Sequence, residues 1–83
     1  MISHHTGSIM LQLREAAKVE YNEVVRNGMK AAADEVSLAL AAFKASPTGE
    51  NLADLNGAWA RGCCWLGAAG GYRDPGSQTA VAA

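Results

Sequence analysis

The sequence predicts an all-α protein: a helical hairpin or three-helix protomer that assembles into a compact homo-oligomer. Three observations carry that expectation. Apolar and small residues recur every three or four positions from Ile9 to Phe43 and again from Leu52 to Ala69, the period of one helix face. β-branched and aromatic residues are sparse and nowhere alternate with polar ones, which leaves no strand material. The 83 residues leave room for one domain only, and a chain this short needs stabilisation beyond its own core.

The extra stabilisation is expected from self-association. Cys63 and Cys64 are neighbours in the chain, a geometry that suits no ordinary intrachain disulfide. Reduced thiols, and a start without a basic stretch and apolar run, predict a cytoplasmic protein. No segment approaches the roughly 18 consecutive apolar residues of a membrane span, so no membrane partner is expected.

Residues 1–8 (MISHHTGS) show no pattern and read as a flexible arm ending in Ser8, a candidate N-cap. The helical domain occupies 9–71. Its first part, with apolar or small residues at 9, 13, 17, 20/21, 24, 28, 32, 36, 39/40 and 43, forms one long helix or two consecutive ones. Asn27-Gly28 is the weak point where a kink or break is expected, because glycine costs about 1 kcal/mol against alanine inside a helix. The loop ASPTG at 45–49 ends this part, since Pro47 pushes Ser46 out of helical space, and Ser46 or Thr48 caps the next helix. In that last helix Leu52, Leu55, Trp59, Gly62, Leu66 and Ala69 step alternately by three and four, a seam that packs against neighbouring helices. Gly70-Gly71 stops it, and residues 72–83 read as a disordered tail.

Composition argues against several activities. The net charge of −1 provides no field for a duplex backbone, and there is no basic recognition helix, so DNA is not an expected partner. His4-His5 has no partners at metal-ligand spacing. Cys63 and Cys64 have no base near them in sequence, and the carboxylates are scattered as solvated helix charges. Neither enzyme chemistry nor a cofactor is expected. One face does look like a binding surface: Asp54, Ala58, Arg61, Trp65, Ala68 and Tyr72 share a stripe that sets Arg61 one turn from Trp65. At minimum this is a cation–π stack; the same pair also suits a nucleobase and its phosphate.

Two stretches bear a family resemblance. VVRNGMKAAADEVSLALAAF (Val24 to Phe43), with Asn27 and Lys30 in an N-x-x-K core, and LADLNGAWARGCCWLGAAGG (Leu52 to Gly71), with Gly62, Cys63, Cys64 and Trp65, are together similar to the phage anti-CBASS sponges for cyclic oligonucleotides. A short Ser/Pro loop separates the two helices in both. The family's upstream Tyr is replaced here by Leu13, Arg14 and Glu15, with Tyr21 the nearest aromatic. Its basic residue three positions after the Trp is Ala68 here, with Arg73 the nearest substitute.

The resemblance implies a helical protomer in a homo-oligomer, often a hexamer, with ligand sites between protomers. Such a protein binds the cyclic di- or trinucleotide messengers of bacterial immunity in the cytoplasm of an infected host and does not cleave them. Lys30 would meet a phosphate, and Asn27 would contact a base edge or cap a turn. Tyr21, Arg61, Trp65 and Arg73 complete the candidate ligand-binding residues. The competing class is a small helical interaction module that docks its Leu/Trp stripe on a host protein and inhibits it.

Overall fold

A computed structural model describes the backbone of residues 2–73 and the side chains of residues 6–73. Three helices account for almost all of it: α1 (Ile2–Val19), α2 (Glu23–Ala45) and α3 (Gly49–Leu66), followed by a short 3-10 turn (Gly67–Ala69). No strand occurs among the described residues. Each helix packs on the other two.

The first helix starts earlier than the sequence pattern predicts. Helical backbone reaches back to Ile2, so residues 2–8 are not an arm. The reason lies at Thr6, which is fully buried and extends the stripe of Ile9, Leu13 and Ala17 by one more helical step. Ser8 is not a cap. It lies inside α1, where its hydroxyl accepts a hydrogen bond from Gln12 Nε2 at 2.9 Å.

The chain breaks at Glu20–Asn22, and α2 runs unbroken through Asn27-Gly28. Asn22 supplies the cap: its Oδ1 accepts from the Val25 amide at 3.1 Å, and its own amide donates to Glu20 Oε2 at 3.1 Å. Gly28 has a packing role instead. A Cβ at this position would collide with the indole of Trp65, so glycine lets the Trp65 ring lie against the backbone of α2.

The loop to α3 follows the expected chemistry. Ser46 ends α2, and the Thr48 hydroxyl accepts from the Asn51 amide at 3.1 Å as the N-cap of α3. Asn51 also donates its side-chain amide to the carbonyls of Ser46 at 2.8 Å and Ala42 at 3.3 Å, binding the end of α2 to the start of α3. The same two carbonyls also accept from backbone amides, Ala42 from the Ser46 N–H at 2.9 Å and Ser46 from the Thr48 N–H at 2.8 Å.

The core draws Ile9, Leu13 and Ala17 from α1, Met29, Ala32, Ala33 and Val36 from α2, and Ala58 and Leu66 from α3. Gly62 lets α1 and α3 approach closely, since a Cβ there would stand 3.0 Å from Ile9 Cδ1 and 3.2 Å from Leu13 Cδ1. The seam of α3 is largely consumed inside the protomer: Leu55 and Leu66 are buried, Leu52 and Trp59 half-buried, and only Ala69 is exposed. It is therefore an intrachain seam first. Gly70 and Gly71 adopt φ of 97° and 98°, left-handed conformations that glycine alone enters without strain, and the Gly71 amide closes the helix end on the Leu66 carbonyl at 2.8 Å.

Residues 72 and 73 belong to the folded unit and not to a tail. Tyr72 meets Trp59 edge-on with ring centroids 5.3 Å apart. The side-chain amide of Gln12 holds both backbone groups of Arg73, accepting from its N–H at 2.9 Å and donating to its carbonyl at 2.8 Å. The rest of the expected tail, 74–83, lies outside the described residues.

Candidate functional site

Between α1 and α2 runs a groove of about 510 Å³ lined by Arg14, Ala17, Lys18, Arg26, Lys30 and Asp34. The chain has seven Lys and Arg residues in all; among the described residues, four of them line this groove, against one acid. A nearly neutral protein thus carries a locally cationic channel, and local charge density is what a small anion responds to.

Local structure explains the convergence. Arg14 and Lys18 stand one turn apart on α1, and Arg26 and Lys30 one turn apart on α2. The tight connection at Glu20–Asn22 folds the two helices side by side. Buried Leu13 and Ala17 hold one wall, and buried Met29 and Ala33 hold the other.

The four cations differ in what already holds them. Arg14 Nη2 stands 3.5 Å from Asp34 Oδ1 across the groove. Lys18 Nζ bonds Glu15 Oε2 at 2.8 Å along its own helix. Arg26 Nη1 donates to the neutral Glu20 carbonyl at 3.3 Å, so its charge is not cancelled. Lys30 is exposed and makes no hydrogen bond or ion pair among the described residues.

A second groove, of about 500 Å³, lies between α2 and α3 and is lined by residues including Gly28, Ala31, Glu35, Leu38, Arg61 and Trp65. Its cation is already occupied. Arg61 clasps Glu35 through Nε at 3.0 Å to both carboxylate oxygens and through Nη2 to Oε2 at 2.6 Å. This fork holds the Glu35 carboxyl below the usual carboxylate range, the hydrogen bond from Arg61 being the main cause. Nη1 of the guanidinium lies 3.3 Å from where a Cβ on Gly57 would stand. The expected Arg61–Trp65 stack gives way because a bidentate carboxylate outcompetes a half-buried indole face.

The candidate ligand-binding residues are therefore dispersed. Lys30 lines the cationic groove; Arg61 and Trp65 line the α2–α3 groove. Arg73 lines a third groove with Gln12, Glu15, Val19 and Leu66. Tyr21 projects from the α1–α2 connection with 99% of its surface exposed. Asn27 is exposed within α2 and lines none of these three grooves, and because α2 is continuous it caps no turn. Sequence reasoning missed Arg14, Lys18 and Arg26.

Cys63 is half-buried, and burial pushes its thiol above the ordinary range, which keeps it protonated and a poor nucleophile; Cys64 is exposed. Among the described residues no group of His, Cys, Asp and Glu is placed to hold a metal ion, and no helix is long and apolar enough to cross a membrane. No protein-family profile, no curated protein and no solved structure matches the chain.

Proposed function

We propose that this protein binds a small phosphate-bearing ligand without transforming it, and that the ligand is a cyclic oligonucleotide of the kind sequestered by the phage anti-CBASS sponges it resembles. The observation that carries the reading is the free ammonium of Lys30 in a groove shared with Arg14, Lys18 and Arg26. An unpaired cation among other cations raises the local potential, and a phosphate entering the groove would gain charge-assisted hydrogen bonds there. Tyr21 exposes nearly all of its ring, a surface that a base stacks on, from an adjoining copy in the oligomer that the resemblance implies.

Self-association in this reading uses α2 rather than the seam of α3. Val24 and Leu38 are 73% and 74% exposed and lie two heptad steps apart with exposed Ala31 between them, one continuous face of a helix. The same face favours a second reading, a module that docks on a host protein through Val24, Ala31 and Leu38.

Thermal unfolding separates the two. A ligand that binds only the folded chain stabilises it by about 2.7 kcal/mol at a hundredfold excess over Kd. Cyclic dinucleotide should raise the Tm of the parent and much less that of Lys30→Ala. An unchanged melting temperature for the parent across the cyclic di- and trinucleotides would leave the docking module in its place.

A further inference from the structure

We propose that the exposed face of α2 is covered by a second copy of this chain, its own α2 running antiparallel across a two-fold axis at Ala31; the proposal rests on reading this face as the self-association surface. Val24, Asn27, Ala31, Asp34, Leu38 and Ala41 step alternately by three and four along α2 and are all exposed, so one unpartnered stripe of heptad spacing runs along the helix. The stripe matches its own reverse. Val24 lies seven residues before Ala31 and Leu38 seven after it, so antiparallel helices crossing at Ala31 set Val24 of each copy against Leu38 of the other. Alanine at the crossing lets the two backbones approach. Asn27 lies four residues before Ala31 and Asp34 three after it. The Asn27 side-chain amide therefore comes beside the Asp34 carboxylate of the second copy, an acceptor for its N–H donors. This gives a role to Asn27, whose side chain has no partner among the described residues.

Charge selects the orientation. A parallel, in-register pair would stack Asp34 on Asp34, and like charges face to face disfavour a contact. The antiparallel pair holds the two Asp34 residues about 9 Å apart along the helices, six residues at a rise of about 1.5 Å each. The two Lys30 residues fall on the same side of the crossing, each as close along the axis to Asp34 of the other copy as to the other lysine, so the charges there balance. Glu35 flanks the stripe but is already clasped by Arg61. A face turned towards an unrelated protein needs no internal symmetry. A face complementary to its own reverse is what an isologous contact between identical chains requires.

The test is sedimentation of the full chain across about 1 µM to 1 mM, the range in which a small interface dissociates. The parent should associate as concentration rises, and Leu38→Glu should stay monomeric with an unchanged circular dichroism spectrum, because the position is exposed. Asn27→Asp should weaken association about threefold to thirtyfold, two solvated contacts being lost at once. Adding Asp34→Asn to it should recover most of the loss by restoring the pair in reverse. Cysteine cross-linking in a Cys63→Ala, Cys64→Ala background reads the orientation. On mild oxidation Ala31→Cys should link to itself, while Val24→Cys and Leu38→Cys should each fail to self-link and should link to one another when mixed. The proposal is overturned by a parent that is monomeric throughout, by association untouched by Leu38→Glu, or by self-linking at Val24→Cys. A monomeric parent that still binds cyclic dinucleotide would sink the pairing and spare the ligand reading. Chains paired in this register but blind to cyclic nucleotides would do the reverse.

Discussion

The two grooves flanking α2 are nearly the same size, about 510 and 500 Å³, and both contain a candidate cation, yet they differ in chemistry. On the α3 side Arg61 is clasped by Glu35, so that groove is electrostatically closed and its remaining surface is largely apolar. On the α1 side four cations meet one acid and Lys30 has no partner among the described residues. A basic residue is available to a ligand only to the extent that the fold has not already paired it. Position on a promising stripe, which singled out Arg61, does not report that.

The largest effect should come from the core that holds the cationic groove open. Leu13 is fully buried behind the α1 wall, so Leu13→Ala should cost about 2–5 kcal/mol and abolish both the groove and much of the fold, read as a large loss in denaturation midpoint. A stable Leu13→Ala protein would mean that the wall is held by something other than this core.

Lys30→Ala asks the opposite question. Helicity should be unchanged, alanine being the better helix former, while cyclic dinucleotide affinity falls about ten- to a hundredfold by calorimetry, the worth of a charge-assisted hydrogen bond. Equal affinity for variant and parent would remove Lys30 from the site.

Gly28→Ala probes the other groove. Helix propensity favours the change by about 1 kcal/mol, but the new methyl displaces the Trp65 ring, which is half-exposed and able to swing out. The expected result is a red-shifted tryptophan emission with little change in stability; an unshifted spectrum would show that the ring does not lie on Gly28.

The smallest effect is that of pH on the Arg61–Glu35 pair. Glu35 titrates lower when folded than when unfolded, so its contribution is present above the unfolded carboxyl's range and fades as pH falls through the folded value. Arg61→Ala should therefore lower the Tm slightly at neutral pH and not at strongly acidic pH. An equal loss at both would make its role one of packing.

Much of the fold was legible because helical periodicity is a strong signal, as the α3 stripe and the Thr48 cap show. The turn was not. Asn27-Gly28 has the composition of a break, whereas Glu20-Tyr21-Asn22 contains neither glycine nor proline, and only the Asn22 side chain bonding the Val25 amide marks it as a helix start. That one misplacement hid the cationic groove. Lys18 and Arg14 stand 4 and 8 residues before Asn22, and Arg26 and Lys30 stand 4 and 8 after it, so a hairpin turning at Asn22 brings them together and one breaking at Gly28 does not. The role of Gly28 itself was invisible because it depends on Trp65, far along the chain. Thr6 was overlooked for a simpler reason: one polar residue beside Gly7 does not read as core until its burial is seen.

Amide chemical-shift mapping of the full chain, titrated with a cyclic dinucleotide, would locate the ligand residue by residue. Entry between α1 and α2 should concentrate the shifts at Arg14, Ala17, Lys18, Arg26 and Lys30, with Ala31, Arg61 and Trp65 comparatively silent. Shifts gathered instead around Gly28, Arg61 and Trp65, or none at saturating ligand, would contradict binding in the cationic groove.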